Sequence, residues 1–327
     1  MSAYRMVVRT LDGPGALERE DFEPSMPGAG EYLIRVEAAG INFFDDLITR
    51  GMYQRKPELP FAPGAELSGT IERAGEGTKL VEGTRVMALV DSGAYTSHIV
   101  VSAERVFVIP DSMPFEEAAG FGIVYQTSYF GLVHRAALAE GETALIHAAA
   151  GGVGLAAVQI AKALGAKVLA TAGSEAKLTL AKDNGADVGI PYRDATWPKQ
   201  VLAATEGRGA DVIYDPVGGD IFDASSKCIA FGGRLVVVGF ASGRIPSIAM
   251  NRVLLKNIAV TGLHWGAYFD LQPEMVHEAH VALCKLYEEG KIRPVVSQAR
   301  PLEEATAAIE ELTSRRSTGK LVLKPSQ

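Results

Sequence analysis

The sequence predicts an α/β fold in two parts, a doubly wound parallel sheet and a second, mainly antiparallel β domain. Three observations carry this. Residues 144–164 read as an apolar strand, a glycine turn and a helix, and apolar runs of strand length then alternate with segments of helix length. Before them, short β runs are broken by Gly and Pro every several residues.

The strand begins at Ala144, and the turn carries Gly151, Gly152 and Gly154. Val153, Ala157, Ile160, Ala161 and Leu164 recur at helical spacing until Gly165 and Ala166 end the helix. Lys167–Thr171 is the next strand, which completes a βαβ unit. Asp211–Asp215, Arg234–Gly239 and Ile258–Gly262 are further strands, with a helix predicted over 221–230. Such alternation implies a parallel sheet with helices on both faces. Upstream, Tyr32–Glu37, Leu67–Glu72, Arg85–Val90 and Val106–Pro110 are the short β runs, and Pro110–Glu117 reads as a cap leading into connecting helices. Downstream, helices are predicted over 272–289 and 302–312, and a last strand over 320–324. We assign 125–265 to the parallel-sheet domain and 1–124 with 266–327 to the other.

A strand, glycine turn and helix hold a dinucleotide pyrophosphate, because the backbone approaches closely and the helix N-terminus favours negative charge. The pattern is A-x-G-x-x-G, with Ala149 in place of the first glycine. At the end of the second strand an acid would bind the ribose 2′-hydroxyl of NAD, whereas cations and hydroxyls accommodate the 2′-phosphate of NADP. The strand end has no acid, and Ser174 and Lys177 follow it one helical turn apart, which favours NADPH. Ser174 reads equally as the cap of a helix starting at Glu175.

The 327 residues are 47% hydrophobic and 22% charged, which fits a globular chain of two domains. A net charge of -7 with no long basic run argues against a nucleic-acid partner. The 2 cysteines, Cys228 and Cys284, build neither a disulfide framework nor a four-cysteine zinc site and point to a reducing compartment. Without a signal-peptide core at the N-terminus or an apolar run of about 20 residues, the expectation is a cytoplasmic protein without a membrane span.

Seven segments resemble the medium-chain dehydrogenases/reductases, specifically the zinc-free NADPH:quinone oxidoreductase branch that includes zeta-crystallin. They are Ala39–Asp45, Arg50–Tyr53, Pro63–Gly69, Ala148–Gly154, Asp215–Asp220, Gly232–Phe240 and Arg316–Lys320. The resemblance implies a Rossmann domain inserted in a GroES-like domain. In the zinc alcohol dehydrogenases of this superfamily, a Cys precedes the Asp of the first motif and a His precedes the Glu of the third. Here those positions hold Asn42 and Ala65, and no Cys between Asp111 and Gly131 supplies another ligand, so no catalytic metal is expected. His277 and His280, three residues apart on one predicted helix, read as surface residues.

Without a Lewis acid, reduction rests on placing the nicotinamide hydride against an electron-poor acceptor, a quinone or an α,β-unsaturated carbonyl. The resemblance implies that Asn42 and Tyr53 face the acceptor and stabilise its developing oxyanion. It assigns Thr127 to the nicotinamide amide and Gly151, Gly152 and Val153 to the pyrophosphate. Ser174, Lys177 and Tyr192 go to the adenosine phosphate, and Gly239, Phe240 and Ser242 to the nicotinamide ribose. Arg316 is assigned to the cofactor from the returning tail. Asn42 and Asp45 also read as caps of a helix beginning near Phe44, and Tyr53 as ordinary packing.

NADPH-dependent quinone reduction is thus the leading reading. Reduction of an activated C=C bond, of enoyl-thioester or 2-haloacrylate type, is the alternative, with Arg50, Arg55, Lys56 or His264 as the cation for a small acrylate. A non-catalytic NADPH-binding protein, structural or RNA-binding, is the third. Relatives also imply a homodimer that pairs the last strand of the parallel sheet, with the aromatic segment 264–268 at that interface or narrowing the substrate cleft.

Overall fold

The computed structural model describes residues 3–54 and 56–326. The chain forms two compact units, Met1–Ile123 with Pro294–Gln327, and Val124–Arg293.

In the first unit a seven-stranded sheet runs Val296–Pro301, Lys320–Lys324, Glu31–Gly40, Glu66–Ala74, Arg85–Leu89, Val106–Val108, and His98–Ser102 also pairs with Glu31–Gly40. Only the pairing of Val296–Pro301 with Lys320–Lys324 is parallel; the other pairings of this sheet are antiparallel. A hairpin of Ala3–Val8 with Leu17–Phe22 lies beside it. Its core joins both ends of the chain: Tyr4, Ile34, Leu67 and Val86 pack with Leu302, Ile309, Leu321 and Leu323. Burial of those tail residues is what returns the chain to this unit.

The second unit holds a six-stranded, wholly parallel sheet in the order Val188–Pro191, Lys167–Ala172, Thr143–Ile146, Ala210–Asp215, Ile229–Val237, Ala259–Gly262. Its central strands Lys167–Ala172, Thr143–Ile146 and Ala210–Asp215 are mostly apolar and almost wholly buried, as a sheet covered on both faces requires. The order reverses between Thr143–Ile146 and Ala210–Asp215, and in such sheets ligands bind beyond the strand ends at that reversal. There the buried His147 joins neighbouring elements: Nδ1 lies 2.8 Å from Thr171 Oγ1, and Nε2 2.9 Å from Ser225 Oγ. Burial lowers its pKa to about 4, so the ring is neutral and structural.

The two units divide at a different place from the expectation. Residues 266–293, assigned from sequence to the β domain, belong to the second unit. Helix Pro273–Glu288 buries Val276, Ala279 and Leu283 there, Gln126 Nε2 donates to Val276 O, and Gln159 Oε1 accepts from Arg293 N–H. The same helix buries His280, expected at the surface, with Nε2 3.3 Å from Cys284 Sγ. His277, one turn earlier, is exposed as expected. Among the described residues no helix is long and apolar enough to cross a membrane.

The glycine turn shows how closely the second unit is packed. A Cβ on Gly154 would stand 2.2 Å from Ala148 O, so any larger residue pushes the helix off the strand. Gly154→Ala is expected to lower the thermal midpoint by several degrees, from about 1–3 kcal/mol of overpacking. Gly262→Ala, whose Cβ meets nothing within 4 Å, is expected to leave it unchanged. Calorimetric melting of both variants checks this.

Candidate functional site

Two groups of residues stand out, one in each unit. In the second, helix Gly152–Ala163 starts at Gly151 with no side-chain cap and no acid in its first turn. Ala148 takes a left-handed φ of 50°, and Gly151 N–H closes the turn onto Ala148 O at 2.9 Å. The backbone N–H groups that open this helix thus meet no side-chain cap among the described residues, which leaves a positive helix end there. Thr127, half-buried, lies on helix Gly122–Tyr129, which continues as a π-helical segment over Phe130–Arg135. The next residue of the helix, Ser128, donates to Val153 O at 2.9 Å.

Beyond strand Lys167–Ala172, Ser174 caps helix Glu175–Asp183, accepting Lys177 N–H at 3.4 Å. The capping role read from the sequence is therefore real. A Cβ on Gly173 would lie 2.8 Å from Tyr192 Oη and 3.7 Å from Arg193 Nε, so a side chain there would fill the cradle these groups make. Lys177 is half-buried, and burial, then the charge of Arg193, lowers its pKa. Two cations facing one another at a strand end without an acid suit a dianionic phosphate. The sequence reading missed Arg193; its position directly after Tyr192 was the available signal. Gly239, Phe240 and Ser242 follow strand Ile229–Val237; Phe240 packs on Gly218 and Ser242 on Gly219, where a Cβ would meet Phe240 Cδ1 at 3.0 Å and Ser242 Oγ at 2.7 Å, and a Cβ on Gly239 would meet Pro216 O at 3.3 Å.

In the first unit, Asn42 stands at the start of helix Phe43–Thr49 and is 7% exposed. Its N–H donates to Asp45 Oδ2 at 2.7 Å, and Asp45 N–H donates to Asn42 O at 3.0 Å. The side chain has a different commitment. Asn42 Nδ2 donates to Glu66 Oε1 at 2.8 Å, and Lys320 Nζ donates to Asn42 Oδ1 at 2.9 Å, to Glu66 Oε1 at 2.6 Å and to Ile41 O at 2.7 Å. Glu66 Oε2 accepts Ile123 N–H at 2.8 Å. The side chains of Lys320 and Glu66 are 5% and 1% exposed, a buried ion pair whose charges are met by hydrogen bonds on each side. Sequence reasoning named Asn42 but not Lys320, which a strand pattern hides among apolar neighbours.

Tyr53 is half-buried, stacks on Phe44 with centroids 5.3 Å apart and packs against Val8, Ile48 and Phe61. Arg316 is exposed in the first unit, where its Nε donates to Ser314 Oγ at 3.0 Å. Among the candidate cations for an acrylate, Arg50 pairs with Asp46 at 3.0 Å, Lys56 and His264 are exposed, and Arg55 lies outside the described residues. No group of three or more His, Cys, Asp or Glu among the described residues is placed to hold a metal ion.

Asp45 is fully buried, accepts the Tyr95 hydroxyl at 2.8 Å, and finds no partner for Oδ1 among the described residues. Burial raises its pKa from 3.8 to about 7, with the Glu66 charge adding to the rise; the Asn42 N–H, Tyr95 hydroxyl and Lys320 ammonium oppose it. Between those values the folded chain binds more protons than the unfolded one, so this group's contribution to stability falls as pH rises from about 4 to about 7. Asp45→Asn is expected to gain on the order of 2–3 kcal/mol relative to the parent between pH 5 and pH 8. Denaturant titrations of both proteins at the two pH values measure it.

Comparison with known proteins places these groups in a family. Residues 28–111 match the alcohol dehydrogenase GroES-like domain, and residues 152–281 the zinc-binding dehydrogenase domain. The quinone oxidoreductase of Pseudomonas aeruginosa is 38% identical over 99% of this chain and 100% of its own. Escherichia coli quinone oxidoreductase, solved in complex with NADPH, superposes with a TM-score of 0.91 at 34% identity over 98% of this chain and 100% of that one. The CurK enoyl reductase superposes at 0.90 with 28% identity over all of both chains. The chain is an oxidoreductase of the quinone oxidoreductase family of medium-chain dehydrogenases/reductases, built from a GroES-like unit and a Rossmann unit.

Proposed function

We propose that the protein oxidises NADPH and reduces quinones without a catalytic metal. The observation that carries the cofactor reading is the pair Lys177 and Arg193 beside Ser174 and Tyr192, beyond strand Lys167–Ala172, which itself carries no acid. Their charges and hydroxyls suit the 2′-phosphate, and the uncapped start of helix Gly152–Ala163, through Gly151, Gly152 and Val153, suits the pyrophosphate. Thr127 would bind the nicotinamide amide, and Gly239, Phe240 and Ser242 its ribose, with Arg316 as a further cofactor contact. Bound there, NADPH supplies a hydride from the nicotinamide ring.

The chain's own residues then have one electrostatic task, to meet the negative charge that develops on the acceptor oxygen. Asn42 donates to it from Nδ2, and Tyr53 adds its hydroxyl. The zinc positions of the metal-dependent relatives hold Asn42 and Ala65, and the adjacent Glu66 is already engaged by the Lys320 ammonium. That suits acceptors which take hydride without a Lewis acid. The likeness to P. aeruginosa and E. coli quinone oxidoreductases supports a quinone as that acceptor. The likeness to an enoyl reductase supports an activated alkene as the second reading. The active form is a cytoplasmic homodimer paired through Ala259–Gly262, an edge strand flanked by exposed Leu254 and Leu255.

Initial rates of cofactor oxidation with a polycyclic ortho-quinone, beside an activated acrylate, test the reading. The expected result is fast quinone turnover with NADPH and slow turnover with NADH. The double variant K177A/R193A is expected to weaken NADPH binding about ten- to a hundredfold and NADH binding by less than threefold, on the basis of two lost charge-assisted phosphate contacts. Turnover with the acrylate alone would transfer the assignment to alkene reduction, and equal losses for both cofactors would remove the phosphate site.

A further inference from the structure

Lys320 is a buried lysine whose ammonium is spent on Ile41 O, Asn42 Oδ1 and Glu66 Oε1, a set centred on Asn42. This fixes which end of the Asn42 amide faces which partner. Reversal would set the carbonyl oxygen against the Glu66 carboxylate and the amide nitrogen against the ammonium, two repulsions in place of two charge-assisted bonds. One Nδ2 proton goes to Glu66, and the other makes no hydrogen bond among the described residues. The side chain thus has a donor to offer, while its oxygen is held toward the ammonium. A cation on Oδ1 also draws electron density from the amide, which strengthens the remaining N–H as a donor.

We propose that Lys320, anchored by Glu66, is a positioning residue for the reduction: it locks the Asn42 amide so that its free N–H, and never its oxygen, meets the acceptor's developing oxyanion. The proposal rests on the reading of Asn42 given above. The residue does not touch the acceptor; it acts through Asn42. A structural alternative is that the ion pair only secures strand Lys320–Lys324 in the sheet, and the two make different predictions.

The test is a mutant cycle on the full-length protein, with NADPH and 9,10-phenanthrenequinone as the probe. N42A, K320M/E66Q and the triple variant are compared with the parent in kcat, acceptor KM, NADPH affinity by fluorescence titration, and melting temperature. K320M/E66Q removes both charges together, so no uncompensated charge is left buried. The expected result is a kcat loss of tenfold or more in N42A, a loss of similar size in K320M/E66Q, and no further loss in the triple variant, with NADPH affinity within twofold throughout. A K320M/E66Q protein that melts lower yet keeps its kcat, or losses that multiply in the triple variant, would overturn the proposal. If N42A itself keeps the parent kcat, the role of Asn42 falls and the proposal with it. Should K320M/E66Q not fold, Glu66→Gln carries the same cycle: it keeps the ammonium but loosens its anchor. Its expected cost is about three- to tenfold in kcat in the parent and nothing in the N42A background, and a loss of equal size in both backgrounds would overturn the proposal.

Discussion

A carboxylate sealed inside a protein must be answered by charge and hydrogen bonds, and much of the first unit follows from how Glu66 is answered. Its charge is met by Lys320 and its remaining lone pairs by Asn42 Nδ2 and Ile123 N–H. Removing one member of such a set strands a buried charge, at about 3–5 kcal/mol. The cation arrives from a strand 254 residues further along the chain, so the unit is complete only when the C-terminal segment has returned to the sheet. That return makes the GroES-like unit discontinuous and the Rossmann unit an insertion within it.

The second unit answers a different constraint, the donors left open at the start of a helix. Close packing of Gly154 on Ala148 O brings helix Gly152–Ala163 against its strand, and the absence of a cap or early acid leaves its first N–H groups for an anion. At the neighbouring strand end Lys177 and Arg193 repeat the theme with side chains. The unit collects positive potential at two places on an otherwise acidic chain, of net charge -7.

Features written in local pattern were legible in the sequence. The βαβ unit, the apolar strands of the parallel sheet and the helix cap at Ser174 appeared where periodicity and cap chemistry put them. What local pattern does not encode is partnership across the chain. Helix Pro273–Glu288 is amphipathic wherever it docks, and it is its burial of Val276, Ala279 and Leu283, with the Gln126 hydrogen bond to Val276 O and the Gln159 bond to Arg293 just beyond its end, that shows it belongs with the Rossmann unit. His280 is polar in sequence yet buried, because its helix turns that face inward. Lys320 opens a strand that reads as part of a returning tail, and its role appears only when Glu66 and Asn42 are brought beside it in space.

The central proposal is that Asn42, held by the Lys320 ammonium, serves reduction where metal-dependent relatives use zinc. The most direct measurement is the rate of quinone-dependent NADPH oxidation against zinc content, in protein dialysed against a chelator and then titrated with zinc. The account predicts full turnover at a zinc content far below one per chain and no gain on adding zinc. Turnover that vanishes with the metal and returns in proportion to it would contradict the account.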